Sequence, residues 1–495
     1  MTATPTSTST SSPTTLQALR NPRLLTTEAL AGAVTTLALI PEVISFSVIA
    51  GVDPKVSLIA SVVLAISMSI LGGRPAMITA AAGAVALVVA PLVHTHGVEY
   101  LLPTVILAGI IQILFGVLGL ARIMRFIPRS VMIGFVNALG ILIFAAQLQH
   151  VLDVPVMVYP LFALTLLVVL LLPRFTKAVP APLVAIVLVT AIAMFAHLSV
   201  PTVGDQGDVS GGLPGITPLL VPLDLDTLRL ILPTALSVAF VGLMETLLTA
   251  KLVDDITDTR SHKSRESWAL GVANILAGCW GGIAGCAMIG QTVVNVKLGR
   301  ARTRLSTFFA GVMLLILVTV LSDLMEAIPM AALAAVMMVV AVSTVDFHSV
   351  RPATLKRMPW SETLVMVTTV VVVVATNNLA IGVAAGALLA MVLFARRIAH
   401  VTSVHRLVTD VAATYTVRGP LFFGSSNDLV EQFTYAEDPP QVTIDFSAAQ
   451  IWDASTVAAL DSVQTKYADH GIEVRFTGLD EHSTQFRDRL TGTLN

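Results

Sequence analysis

Gly72-Gly73-Arg74-Pro75-Ala76-Met77-Ile78-Thr79, running into Ala80-Ala81-Ala82-Gly83-Ala84-Val85, has a near copy about 209 residues further along the chain. The copy reads Gly281-Gly282-Ile283-Ala284-Gly285-Cys286-Ala287-Met288, running into Ile289-Gly290-Gln291-Thr292-Val293-Val294. Both interrupt apolar sequence, and each lies 30 to 36 residues after a glutamate embedded in a span, Glu42 or Glu245. Such interrupted apolar segments at matching places in two halves of a membrane protein point to a binding site. The pair predicts a secondary transporter.

Composition supports a membrane protein. With 55% apolar and 12% charged residues and a mean hydropathy of +0.85, a soluble reading is excluded for most of the chain. Residues 1–24 are expected to form a disordered cytoplasmic tail, and residues 1–15, which carry no charge, lack the basic start of a signal peptide. The membrane part is placed at 25–400, with one repeat at about 25–198 and a second at about 227–400. Ordinary charge density returns from Thr409, so a soluble domain is expected over 409–495. Cys279 and Cys286 sit in apolar sequence and read as packing residues.

Apolar runs begin near Leu30, Val56, Ala80, Pro103, Ser130, Met157, Pro180, Leu228, Ser267, Ala287, Leu305, Pro329, Ser361 and Leu379. Those at Val56, Ala80, Ser267 and Ala287 are short for a crossing of roughly 20 residues. Charge decides the matter. If all fourteen cross from a cytoplasmic N-terminus, 22 Lys and Arg fall in inside loops and only Lys55 and Arg229 fall outside. The inside set includes Arg74, Arg122, Arg125, Lys177 and Arg304, while the outside segment from Ser199 to Thr227 holds Asp205 and Asp208 and no cation. This is the positive-inside pattern, and losing one crossing would invert every later loop. Fourteen spans place both termini in the cytoplasm, and seven per half requires inverted repeats.

Few groups in the spans can do chemistry. Glu42 and Glu245 lie in the first spans of the two halves, where a carboxylate is costly and functional by default. Such a carboxyl can bind and release a proton. Pro41 is expected to break the helix beside Glu42 and admit water. Helices starting near Ala82 and near Gly290 would aim free backbone N–H groups inward, each start carrying about half a positive charge. Two facing starts make an anion site without a cationic side chain, and Gln291 and Thr292 add donors. Tight helix packing is the plainer reading of a single small-residue motif; a matched pair favours a site. No hydrolase triad, phosphate-binding loop or paired-cysteine motif is visible in the membrane part, so neither an enzyme nor a resident cofactor or metal is expected.

At Ile40-Pro41-Glu42-Val43-Ile44-Ser45-Phe46-Ser47 and at Ile289-Gly290-Gln291-Thr292-Val293-Val294-Asn295-Val296-Lys297 the chain resembles the sulfate permease (SulP) anion transporters. Those proteins join fourteen spans to a C-terminal STAS domain. The resemblance implies an α-helical polytopic membrane protein with a 7+7 inverted repeat. Spans 1–4 and 8–11 would form a core domain, and spans 5–7 and 12–14 a gate domain. It also implies a homodimer in the inner membrane, moving a small anion such as sulfate, bicarbonate or a dicarboxylate, with no nucleic-acid partner. Substrate would meet Glu42, Phe46, Ala82, Gly83, Gly290, Gln291 and Thr292, with Glu245 and Glu42 coupling protons. Many members have Thr at the Ala82 position and some have Arg at the Gln291 position. Their loss removes a fixed cation and suits co-transport of H⁺ with a carboxylate. The rival readings are a passive anion channel or exchanger of the same architecture, and a membrane sensor signalling through its STAS domain.

In the tail, Val442 to Phe446 and Val474 to Thr477 read as strands flanking a helix from Thr456 to Asp469. Asp453-Ala454-Ser455 resembles the STAS loop whose serine is phosphorylated in signalling relatives, which makes Ser455 a regulatory candidate. A helix N-cap is the alternative.

Overall fold

The computed structural model describes residues 13–119, 127–176, 180–206, 215–222, 224–399 and 401–493. Arg122, Arg125, Lys177 and Asp208 of the charge argument lie outside these residues, as do the first twelve of the expected tail.

The described part of the expected tail is not disordered. Residues 13–24 are ordered into helices, because Thr14 and Gln17 form a reciprocal capping box that starts α1 (Thr15–Arg20). Asn21 then caps the next helix, accepting from the Arg23 N–H at 3.1 Å. The first half continues as α2 (Pro22–Ala50), α3 (Pro54–Leu71), strand β1 (Thr79–Ala81) leading into α4 (Gly83–His96), and α5 (Leu101–Val117). It ends with α6 (Arg129–Gln147), α7 (Val158–Phe175) and α8 (Ala181–Phe195).

The second half repeats this order. It runs through α9 (Leu225–Thr257), α10 (Lys263–Gly278), strand β2 (Gly285–Ala287) leading into α11 (Ile289–Val293), a π turn (Val294–Leu298) and α12 (Arg304–Val320). A short α13 (Ser322–Glu326) precedes α14 (Met330–Thr344), and α15 (Pro352–Arg357) precedes α16 (Trp360–Thr376) and α17 (Leu379–Ala399). Counting each strand with its helix and leaving aside the short α1, α13 and α15, the described residues hold fourteen segments, seven per half. The protein is a polytopic helical membrane protein with a 7+7 repeat.

Pro41 does not break α2, which runs unbroken from Pro22 to Ala50. The proline removes one backbone donor, a loss that surrounding helices tolerate in a bundle. The runs at Ala80 and Ala287 are short for a different reason. Part of each crossing is extended backbone, and the two strands satisfy one another. They pair antiparallel, with Thr79 opposite Ala287, Ala80 opposite Cys286 and Ala81 opposite Gly285. Irregular backbone is tolerated at membrane depth only where protein or a cavity surrounds it.

The membrane helices sort into two groups by packing. In one, α10 lies along α5 and α3, α12 along α2 and α3, and α9 against α4, α5 and β2. In the other, α6 packs on α14 and α16, and α7 on α8 and α14. Small residues set the closest approach: a Cβ on Gly109 would stand 2.6 Å from the Gly271 carbonyl oxygen, so α5 and α10 meet backbone to backbone. Charges lock the turn after α3. Arg74 pairs with Asp254 at 2.9 Å and donates to Thr257 and Thr259, and Glu266 accepts from the Gly73 and Arg74 N–H groups.

One compact unit ends at Ala387 and a second begins at Leu388. The sheet of the second unit starts with the edge strand β3 (Ser403–Val408), ahead of the 409 boundary. It continues as β4 (Ala412–Leu421), α18 (Phe423–Glu431), β5 (Gln441–Ile451), α19 (Ala454–Asp469), β6 (Glu473–Thr477) and α20 (Glu481–Leu490). The order is β3-β4-β5-β6, antiparallel at the first pair and parallel at the other two. Alternate residues Val442, Ile444 and Phe446 of β5 face a core shared with Val457, Leu460 and Val463 of α19.

Candidate functional site

Both strands of the pair deliver a helix start to the same place. Ala82 precedes the first turn of α4 and Met288 the first turn of α11, and neither start has a side-chain cap. Their first backbone N–H groups therefore remain available. The sequence placed these starts at Ala82 and Gly290, within one residue of the observed Gly83 and Ile289.

A cavity of about 350 Å³ lies in front of them. One wall comes from the strand-bearing group: Glu42 and Phe46 of α2, Ala82, Gly83 and Ala84 at the start of α4, Glu245 of α9, and Met288 to Gln291. The other comes from α6 and α14, through Phe135, Val136, Leu139, Ile143, Val340, Ser343 and Thr344. Among the described residues, no Lys or Arg lines it.

The structure brings together Glu42, Phe46, Ala82, Gly83, Glu245, Gly290 and Gln291. Phe46 lies on Gly83, where a Cβ would come within 2.5 Å of its ring. Gly290 instead faces open space. Gln291 is buried and lines the cavity with Glu42, which is half-buried. Glu245 is buried, and its Oε2 accepts from the Cys286 thiol at 2.8 Å. Cys286 thus does more than pack.

Thr292 is not brought into the lining. One residue on from Gln291, it turns about 100° around the helix, and its hydroxyl accepts from the Ile78 N–H at 3.0 Å. Ser455, in the other unit, is exposed in the first turn of α19; Asp453 is the cap, accepting from the Thr456 N–H at 3.0 Å.

Several positioning residues escaped the sequence reading. Asn274 takes both backbone groups of Gly285, at 2.7 and 3.2 Å, and donates to Gln112 at 2.8 Å. Thr246 accepts from the Ala287 N–H at 3.0 Å, and Thr249 donates to the Ala287 carbonyl at 3.1 Å. Ser61 accepts from the Ala81 N–H at 3.1 Å. A lone Asn or Gln inside an apolar run, as at Asn274 and Gln112, was the available signal. The α6 and α14 wall carries no such mark.

The chain is similar to known proteins. The Sulfate permease family profile matches residues 25–159 and 154–369, and the STAS domain profile matches 404–489. The Bacillus subtilis (strain 168) protein YbaR, provisionally named a sulfate transporter, is 49% identical over 463 residues, which is 94% of this chain and 96% of that one. Bicarbonate transporter BicA of Picosynechococcus sp. is 28% identical over 357 residues, 65% of this chain and 62% of that one. Among solved structures, the transmembrane domain of a cyanobacterium BicA superposes with a TM-score of 0.65 at 24% identity, covering 73% of this chain and 98% of that one. Murine Solute Carrier 26 family member A9, an anion transporter in its inward-facing state, superposes with a TM-score of 0.81 at 16% identity, covering 94% and 87%. These two establish the shared fold. The chain belongs to the sulfate permease family, as a bacterial member with a C-terminal STAS domain.

Proposed function

We propose that the chain is a secondary active transporter that carries a small anion together with H⁺ by alternating access. One observation carries the reading: two embedded glutamates and two uncapped helix starts line one cavity, with no cationic side chain among the described residues around it. Two helix starts supply about one positive charge in total. That offsets one monovalent anion and leaves nothing for two carboxylates beside it. Unpaired charges at such depth are strongly disfavoured. The anion is accommodated when the glutamates carry protons, which ties anion and proton movement together. The two packing groups that wall the cavity are suited to moving against each other around it.

The substrate class on this reading is a small carboxylate or dicarboxylate, or sulfate or bicarbonate as the relatives' names suggest. The protein is assigned to the inner membrane as a homodimer, with both termini cytoplasmic and no cofactor beyond the coupling proton. Exposed Ser455 is its regulatory site. Uptake of labelled sulfate, bicarbonate and fumarate into proteoliposomes, with and without an inward proton gradient, tests the proposal. Gradient-driven accumulation supports it. Equilibration indifferent to the gradient favours the channel or exchanger reading. Ligand binding without flux, with function lost on deleting the STAS domain, favours a sensor.

A further inference from the structure

The two walls of the cavity differ in chemistry, and the difference narrows the substrate. The wall from α2, α4, α9 and α11 offers Glu42, Glu245, the buried Gln291 amide and the free N–H groups at Gly83 and Ala84. The facing wall offers hydrocarbon: Phe135, Val136, Leu139 and Ile143 from α6, and Val340 from α14. Its two hydroxyls are committed to their own helix. Ser343 and Thr344 donate to the Val340 carbonyl at 2.8 and 2.9 Å.

Resting on the transport reading above, we infer that the substrate is a monocarboxylate with an apolar body, and that Phe135, Leu139 and Val340 select it. Sulfate carries oxygen on every side. Against this wall it would lose hydration without gaining donors, a costly exchange for a charged group. A single carboxylate directed at the α4 start, with a branched hydrocarbon body against Leu139 and Val340, leaves no charged group on the apolar side. One negative charge also matches the roughly single positive charge of the two helix starts. A cavity of about 350 Å³ has room for such a body. Embedding part of the selectivity in the α6–α14 wall means that the substrate itself is held between the two groups of helices.

The test compares two acids with the same 2-oxo carboxylate head, pyruvate and 4-methyl-2-oxopentanoate. Proteoliposome uptake under an inward proton gradient is measured for both, with sulfate and bicarbonate alongside and protein-free vesicles subtracted. An added methylene in an apolar pocket changes selectivity about 10- to 200-fold. The branched acid is therefore expected to saturate at a concentration at least ~10-fold below pyruvate. Val340→Thr, which keeps the shape and adds a hydroxyl, is expected to shrink that ratio severalfold. Equal handling of the two acids, or preferential accumulation of sulfate or bicarbonate, overturns the selectivity while leaving proton-driven transport intact. Accumulation of none of the four overturns the transport reading and this inference with it. The comparison within the unmodified protein decides even where V340T fails to fold.

Discussion

The thiol of Cys286, on β2, donates to Oε2 of Glu245, on α9, so the strand crossing and the second-half glutamate are coupled through one hydrogen bond. Removing the donor leaves a buried acceptor unmatched, at about 1–3 kcal/mol. Cys286→Ser preserves a donor and is expected to keep gradient-driven uptake. Cys286→Val is expected to lower it several-fold. Equal activity of the two variants would show that the bond does not matter to transport.

Neutralising the carboxyls separates coupling from binding. Glu245→Gln keeps an acceptor for Cys286 and cannot titrate. It is expected to abolish accumulation against a gradient while leaving measurable substrate binding. Glu42→Gln keeps the size and polarity of the side chain and is expected to change the proton dependence of uptake more than its maximal rate. Uptake by E245Q with an unchanged response to the proton gradient would remove Glu245 from the coupling path.

Two glycines in the second crossing should behave oppositely. A Cβ on Gly285 runs into the Ala80 carbonyl and the Leu64 side chain, whereas one on Gly290 meets nothing within 4 Å. Gly285→Ala is expected to cost about 1–3 kcal/mol through overpacking, seen as a lower melting temperature in detergent. Gly290→Leu is expected to leave melting nearly unchanged and to block uptake, because its side chain fills the cavity.

Asn274→Ala strips Gly285 of the partner for its N–H and carbonyl together. Each buried backbone group left unpaired costs about 1–3 kcal/mol. A clear fall in melting temperature is expected even though Asn274 does not line the cavity, with uptake lost in step with folded protein.

Asp438 gives the STAS unit an acid-sensitive latch. Burial pushes its carboxyl upward, but hydrogen bonds from the Tyr415 and Tyr467 hydroxyls and the Arg406 guanidinium outweigh burial and hold it below the ordinary Asp range. With the folded value depressed, its stabilisation is complete above the unfolded value, about 3.9, and is lost as pH falls through the folded value. Asp438→Asn is therefore expected to speed hydrogen exchange in β4 at neutral pH, with the difference from the native chain vanishing in acid. A difference independent of pH would refute the latch.

Local patterns in the chain were enough for a large share of this architecture. Hydropathy and the Lys/Arg asymmetry yield fourteen crossings, because burial in lipid and charge retention act on each segment separately. The repeat of Gly-interrupted segments locates both helix starts to within a residue, and it marks Glu42 and Glu245 as partners. Tertiary structure decided the rest. The pairing of Thr79 with Ala287 joins residues about two hundred positions apart, and nothing local in either strand specifies the other. Gln291 faces the cavity and Thr292 turns away because one step along a helix rotates a side chain by about 100°, and only the packed neighbours set the starting angle. Nothing in the sequence singles out Phe135, Leu139 and Val340. They become a selective wall only because α6 and α14 are folded against the paired helix starts, where their hydrocarbon meets substrate instead of lipid.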